Sequence, residues 1–172
     1  DAHRWTFNYY GQITSERSEF WTGASANLYP YEMTPDLSLG GHGLSYGPVD
    51  SGDLRYSREV YVSDKGNFVR YLEVYRNTGP TALSQLVSIS SSMQSSDTEA
   101  VRTSSGNTEF DATDAWLVRD GSAQGDQVVS FVTAGATGGD GPLSAANAFG
   151  SVSYSYQLDL APGETQIVMH YV

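Results

Sequence analysis

The stretch Arg55–Ile89 reads RYSREVYVSDKGNFVRYLEVYRNTGPTALSQLVSI, and it is the part of the chain that decides the fold. Its apolar residues are mostly β-branched or aromatic, and such side chains fit a pleated surface. The pattern predicts three strands, Arg55–Val62, Phe68–Arg76 and Leu83–Ile89. Both faces of the middle strand are partly apolar, which is typical of a central strand in a sandwich.

Two short polar gaps separate these strands. The first, Ser63–Asn67, contains Gly66 and Asn67, which tolerate the positive φ of a hairpin loop. The second contains Gly79 followed by Pro80, which has no N–H for a sheet ladder, and it therefore predicts a turn.

The rest of the chain extends this pattern. Ser151–Leu160 alternates strictly, which predicts one buried and one solvated face. Gln127–Ala134 is a nearly continuous apolar run typical of a buried strand, and Gln166–Val172 predicts a last strand. With about ten or eleven strands in all, the sequence predicts an all-β fold, a two-layer antiparallel β-sandwich.

Three local features are less regular. Leu143–Phe149 (LSAANAF) is the one segment for which a short helix is expected. Ala100–Ser104 and Thr108–Phe110 predict a hairpin around Gly106. The serine-rich residues after Ile89 suggest an exposed strand edge or loop.

Length and composition limit the function. The 172 residues form one predicted domain, residues 1–172, and both ends lie in strand-like sequence, as expected of a module cut from a longer protein or of a mature fragment. The formal charge of −11 disfavours nucleic acid and anionic membrane surfaces. There is no cysteine and no apolar run of membrane-spanning length, so neither disulfides nor membrane insertion are expected.

Catalytic motifs are weak. Gly43–Gly47 fits G-x-S-x-G, the nucleophile elbow, but Pro48 follows where a helix is needed, and we reject it. His3, His42 and His170 have no metal-ligand spacing, and we expect His170 on the outer face of the last strand. No catalytic residue is therefore predicted.

Acidic residues in Gly- and Ser-rich loops are the metal candidates, because carboxylates and carbonyls suit calcium. We name two pairs, Asp50 with Asp53 and Asp111 with Asp114. Neither pair belongs to an EF-hand or to a calcium-binding repeat. Calcium is thus a possible cofactor, and solubility is the alternative explanation of the acidic surplus.

Aromatic residues give the ligand-binding candidates. We assign four of them to the core: Trp5, Trp116, Tyr154 and Tyr156. Trp21, Tyr29 and Tyr31 follow no strand period and lie among Gly, Asn and Pro residues. Exposed rings can stack on sugars, so these three form the predicted binding site, with packing at the end of the sandwich as the alternative.

Several motifs resemble known modules. They are Arg58, Val60–Val62, Gly66, Phe68, Arg70–Leu72, Asn77, Thr103–Asn107, Asp114–Trp116 and Pro162–Thr165. Across residues 55–172 they resemble a β-sandwich module of large secreted bacterial proteins, including calcium-dependent adhesins and exoenzymes, and are similar to the β-supersandwich domains of glycoside-processing enzymes. The resemblance implies fold and secretion, and it transfers no catalytic residue.

Three functions remain open. The first is a non-catalytic module of a secreted or cell-surface bacterial protein that binds carbohydrate or another surface ligand. The second is a structural spacer or accessory domain that contacts neighbouring domains of an enzyme or adhesin. The third is a glycosidase, which needs two carboxylates in a cleft. An exposed aromatic strip would favour the first.

Overall fold

The computed structural model describes residues 6–7, 13–14, 20–24, 36–66, 68–93, 100–120, 128–134, 141–148 and 151–172. Within these ranges it contains fourteen strands and no α-helix; its one helical element is the three-residue 3-10 turn Leu39–Gly41. The strands are β1 (Thr6–Phe7), β2 (Ile13–Thr14), β3 (Phe20–Ala24), β4 (Asp36–Ser38), β5 (Gly43–Ser51), β6 (Leu54–Val62), β7 (Val69–Asn77), β8 (Leu83–Met93), β9 (Ala100–Thr103), β10 (Trp116–Asp120), β11 (Val128–Val132), β12 (Ser144–Ala148), β13 (Ser151–Leu160) and β14 (Thr165–Tyr171).

Two antiparallel sheets form the layers of the fold. The first has eight strands in the order β4-β5-β6-β7-β14-β11-β10-β9, and the second has four in the order β12-β13-β8-β3. Strands β1 and β2 pair separately. Inward side chains of both sheets form one core, so the predicted all-β, two-layer antiparallel sandwich is confirmed.

The stretch Arg55–Ile89 folds as predicted. Strands β6, β7 and β8 begin within one residue of their expected positions, and β8 runs four residues further, to Met93. Strand β7 lies between β6 and β14, so it is a central strand. Its alternate residues Val69, Tyr71 and Tyr75 are fully buried, because this face points at the second sheet.

Asn77 at the end of β7 ties the two sheets together. Its side-chain amide donates to the carbonyl oxygens of Thr81 (2.7 Å) and Leu160 (3.0 Å), and Leu160 ends β13 in the other sheet. Its Oδ1 accepts the N–H of Gly79 at 2.9 Å. A buried amide with three such bonds explains why this strand ends in Asn before the Gly-Pro turn.

Strand β13 confirms the strict alternation. Val152, Tyr154, Leu158 and Leu160 are buried, as is Tyr156, whose hydroxyl donates to the Thr133 carbonyl at 2.6 Å. Its outer face is polar: Asp159 accepts a hydrogen bond from Ser84 of β8, and Ser155 is hydrogen-bonded to Ser88.

The predicted helix at Leu143–Phe149 is wrong. Ser144–Ala148 is a strand that pairs with β13 from Ser151 to Ser155. A run of five to seven residues is too short to hold a helix by propensity alone, and an open sheet edge offers it backbone partners.

Two further expectations also need correction. Ala100–Thr103 pairs with β10, so the predicted hairpin with residues 108–110 is wrong; the intervening segment is a turn held by Asp114. Ser90–Ser92 lie in β8, which has β13 on one side and β3 on the other. The first part of the serine stretch is therefore in the middle of a sheet, while its second part lies outside the described residues.

The eight-stranded sheet contains one weak junction. Strands β7 and β14 pair from Thr165–Arg76 to Tyr171–Arg70, but β14 and β11 share the single pair Val132–Tyr171. Five strands thus lie on one side of this junction and three on the other.

Candidate functional site

The outer face of the eight-stranded sheet carries a line of residues in cross-strand register. Each member is paired with the next on the neighbouring strand, from β6 through β7, β14 and β11 to β10. We call this line the outer row, and it consists of Tyr61, Arg70, Tyr171, Val132 and Trp116. Four spacings of ~4.8 Å separate its ends, so the row is about 19 Å long.

The backbone explains why these residues share a face. Successive residues of a strand point to opposite sides, and the neighbours Val60, Val69, His170, Phe131 and Leu117 are all buried inward. The members of the row therefore point away from the core. Trp116, which we predicted as a core residue, is 38% exposed, and that prediction is wrong.

The rings at the β6 end contact one another. Phe68, which precedes β7, lies 6.3 Å from Tyr61 and 5.9 Å from Tyr171 between ring centroids. The Arg70 guanidinium lies 5.2 Å from the Tyr61 ring centroid. Tyr61, Phe68 and Tyr171 thus form a connected aromatic strip on the surface.

The opposite end of the row borders a depression. It has a volume of about 660 Å³, and Trp116 forms one wall. The other lining residues come from β9 and the turn after it: Val101, Arg102, Thr103, Gly106, Asn107 and Thr108. No carboxylate is among these lining residues. An indole beside polar donors and acceptors suits a ligand with both apolar faces and hydroxyl groups.

Apolar side chains extend the surface along β14 and β7. Ile167 is 57% exposed and Met169 is 48% exposed, and they are paired with Val74 and Leu72, which are half-buried. Exposed apolar surface that is contiguous across strands is typical of a binding face.

A second group of residues lies inside the sandwich, on the other face of the same strands. Glu73 of β7 is fully buried, and its Oε2 accepts hydrogen bonds from Tyr56 Oη (2.6 Å) and Arg58 Nε (3.0 Å). Its Oε1 lies 2.7 Å from Arg58 Nη2 and 3.1 Å from His170 Nε2. His170 Nδ1 is 2.8 Å from Tyr154 Oη of the second sheet. We call these five residues the buried network.

Burial and charge determine the ionisation of this network. Burial on its own raises the pKa of Glu73, but the charge of Arg58 and the hydrogen bond with His170 outweigh it and hold that pKa at about 2. Burial lowers the pKa of His170. The imidazole is therefore neutral at pH 7, and one consistent tautomer donates from Nε2 to Glu73 and accepts from Tyr154.

The buried network is structural. Perturbed pKa values often mark active sites, but Glu73 and His170 are both 0% exposed, so no substrate can reach them. Our prediction that His170 lies on the outer face is wrong. In β14 the inward residues are Val168 and His170, because the polar partners of His170 lie inside.

The predicted ligand site lies largely outside the described part of the chain. Trp21 is in β3, opposite Ser92 of β8, and the structure describes its backbone pairing only. Tyr29 and Tyr31 lie outside the described residues, as does Trp5 of the predicted core. A ligand role for Trp21, Tyr29 and Tyr31 stays a prediction.

Asp50 and Asp53, the first pair of metal candidates, contact different residues. Asp50 accepts two hydrogen bonds from Arg55, at 2.7 and 2.9 Å, and these lower the pKa of its carboxyl group. Asp53 is exposed at the β5–β6 turn, and its carboxylate packs beside Gly79, where any side chain would collide with it.

The second pair stabilises a turn. Asp114 is buried and accepts from Ser104 Oγ (3.0 Å), Ser105 N (2.9 Å) and Asp111 N (3.1 Å). Asp111 Oδ1 in turn accepts from the backbone and hydroxyl of Thr113. Among the described residues no group of three or more His, Cys, Asp or Glu could hold a metal ion. Calcium stays a prediction.

The serine of the G-x-S-x-G match lies within β5, opposite Glu59 of β6. The chain continues as a strand through the Gly47–Pro48 cis peptide rather than turning into a helix. His42 is in an exposed turn, and His3 lies outside the described residues. This geometry lacks the strand–turn–helix context of a nucleophile elbow.

Sequence reasoning missed both the outer row and the buried network. A signal for the network was present, since Glu73 falls between Tyr71 and Tyr75 on the face that alternation assigns to the core. The outer row had no such signal, because its members come from five strands and are aligned only by register.

Comparison with known proteins does not assign the chain to a family. No protein-family model matches it, and no curated protein sequence does either. In the described ranges, no helix has the length and hydropathy needed to cross a membrane.

Proposed function

We propose that the chain is a non-catalytic module that binds carbohydrate along the outer row. The observation that carries this proposal is the register of Tyr61, Arg70, Tyr171, Val132 and Trp116 across five strands. It makes one continuous line on the outer face, in which Trp116 is exposed and the other four are half-buried. A line about 19 Å long fits an extended oligosaccharide rather than a single sugar.

The chemistry of the row supports a sugar. Tyr and Trp rings offer flat apolar faces together with a polar edge, and sugars likewise combine apolar C–H faces with hydroxyl groups. Asn107 and Thr108 beside Trp116 supply polar groups at one end. The charge of −11 disfavours nucleic acid and anionic membranes as alternatives.

A non-catalytic role agrees with the positions of the carboxylates. Glycoside hydrolysis uses two carboxyl groups on either side of the scissile bond. Glu73 is inaccessible, and no carboxylate lines the depression beside Trp116.

We further propose that the module belongs to a longer secreted or cell-surface bacterial protein, such as an adhesin or exoenzyme. The resemblance of residues 55–172 to secreted sandwich modules supports this location. Neighbouring domains of that protein would then be its other partners.

A second candidate function rests on the exposed residues Ile167 and Met169. At 57% and 48% exposure they would suit contact with a neighbouring domain, as in a structural accessory module. In that case the outer face would be covered in the longer protein, and no sugar would bind.

A glycan array probed with the purified chain tests the two functions. We expect binding to at least one oligosaccharide, loss of that binding in Trp116→Ala and Tyr171→Ala, and a melting temperature close to that of the parent. The matched control is Leu86→Ala, which removes a 49% exposed side chain from the other sheet. Trp21→Ala tests the sequence-predicted site on the same array. An array without signal would favour the accessory function.

A further inference from the structure

We propose that the oligosaccharide bound by the outer row is acidic, and that Arg70 and Arg102 bind its carboxylates. This inference rests on the proposed function and names the class of sugar. It depends on two arginine side chains, Arg70 within the row and Arg102 beyond its end, that form no ion pair with any described residue.

Arg70 lies in the middle of the row, between Tyr61 and Tyr171. Its side chain is half-buried, and its Nε is shielded from solvent, so a ligand would be bound through the terminal Nη groups of the guanidinium. The stack on Tyr61 holds the guanidinium in place without using its in-plane N–H donors. Such a group is well prepared to bind a carboxylate.

Arg102 lies at the far end, on the edge strand β9. It is exposed and lines the depression together with Trp116, Asn107 and Thr108. Its cross-strand partner is Val118, so no carboxylate lies opposite it. A sugar stacked on the indole would bring a ring substituent within reach of this guanidinium.

Neither arginine has an ion pair among the described residues, although acidic residues outnumber basic ones by 20 to 9 in the sequence. Arg55 is paired with Asp50, and Arg58 is paired with Glu73. The outer row contains no acidic residue, and Glu59, the acidic residue that precedes Tyr61 on the outer face of β6, is opposite Leu72. The row thus contains one cation, Arg70, and no carboxylate, and Arg102 lies one strand beyond its Trp116 end.

The spacing restricts the ligand further. Arg70 on β7 and Arg102 on β9 are four strand spacings apart, about 19 Å. Charges more than ~8 Å away are screened at physiological ionic strength, and a uronate oligomer carries at most one charge per sugar ring against one per ~1.7 Å of axis in duplex DNA. The net charge of −11 therefore opposes a sugar anion less than it opposes nucleic acid. Two arginines at this distance match separated carboxylates of one oligomer.

Titration calorimetry with paired probes tests the inference. The probes are oligomers of galacturonate, mannuronate and hyaluronan, each compared with its methyl ester, and a sulfated neutral oligosaccharide. The proteins are the parent chain, Arg70→Gln, Arg102→Gln and, as control, Arg76→Gln. Arg76 is an exposed arginine on the same face of β7. Its cross-strand neighbours are Arg55 and Thr165, which are not members of the row.

We expect at least one uronate to bind about tenfold more tightly than its ester, because charge-assisted bonds to arginine are lost on esterification. Arg70→Gln and Arg102→Gln should each remove most of that difference, so that acid and ester bind with similar affinity, whereas Arg76→Gln should leave the difference as it is in the parent. Equal affinity for acid and ester would overturn the acidic-sugar inference and leave the proposed function standing. Tighter binding of the sulfated probe would overturn the assignment to carboxylates. No binding of any acid, ester or sulfated probe would overturn the inference and count against the proposed function.

Discussion

Strand β7 presents opposite chemistry on its two faces. Its inward residues include Glu73, a buried charge whose carboxylate is hydrogen-bonded to three side chains. Its outward residues include Arg70, whose guanidinium makes no ion pair with any described residue. The buried carboxylate of Glu73 is hydrogen-bonded on both oxygens, whereas the Arg70 guanidinium contacts the Tyr61 ring and no described carboxylate. The first residue stabilises the fold, and the second is the one that we propose binds a ligand.

Glu73→Gln should give the largest effect on the inner face. The substitution removes the negative partner of a buried ion pair with Arg58, and breaking such a pair from one side costs about 3–5 kcal/mol. Urea unfolding measures the loss. Glu59→Gln on the outer face of β6 is the control and should stay within about 0.5 kcal/mol. Equal effects of the two substitutions would contradict the distinction between the faces.

Low pH should give the second largest loss of stability, because it titrates the buried network. The pKa of Glu73 is held at about 2, below its ordinary 4.5, so its contribution is complete above pH 4.5 and is lost as pH falls through 2. That shift corresponds to about 3 kcal/mol. The pKa of His170 is also lowered, so its unfolded form takes up a proton first, and stability begins to fall below pH 6.5.

Urea unfolding at pH 7.5, 5.5 and 3.5 measures this dependence. We expect stability to decrease at each step. In Glu73→Gln the loss of stability between pH 5.5 and 3.5 should be smaller, because the variant lacks the carboxyl group whose pKa is lowered in the folded protein. A parent protein of constant stability over this range would rule out a charged network of this kind.

Alternation within one strand predicted the inner face well. It placed Tyr154 and Tyr156 in the core, and the structure agrees. It failed for β14, where Ile167, Met169 and Tyr171 are apolar but point outward, because His170 on the other face has polar partners inside. Hydrophobicity alone cannot assign a face when the buried face contains a satisfied polar group.

The outer row could not be predicted in the same way. Trp116 is one of three tryptophans, and its type favours burial, yet the face of β10 that is buried contains Leu117 and Arg119. Only the pairing of β10 with β11, and of β11 with β14, places Trp116 in line with Tyr171. Long-range register of this kind is a tertiary property.

A pair of tyrosines distinguishes hydrogen bonding from packing within the inner face. Tyr154→Phe removes the partner of His170 Nδ1 and should cost about 1–2 kcal/mol. Tyr71→Phe removes a buried hydroxyl that has no hydrogen-bond partner among the described residues, so it should be neutral or slightly stabilising. Thermal unfolding of both variants measures the difference, and a larger loss for Tyr71→Phe would contradict the described network.

Chelation of metal ions should give the smallest effect. The carboxylates of Asp50 and Asp114 are already hydrogen-bonded to Arg55 and to the 104–111 turn. We therefore expect the melting temperature to be the same with and without excess chelator. A clear decrease would mean that a cation stabilises the native state by mass action, and would support the calcium prediction from the sequence.

The single residue pair between β14 and β11, Val132–Tyr171, makes this junction the place where a ligand on the outer row would most affect the stability of the sheet. An oligosaccharide that reaches from Tyr61 to Trp116 crosses this junction. It would contact both the five strands on one side and the three on the other, and so hold them together. Amide hydrogens of β11 should then exchange more slowly when the sugar is bound. The ligand would in that case stabilise the sheet against opening between β14 and β11.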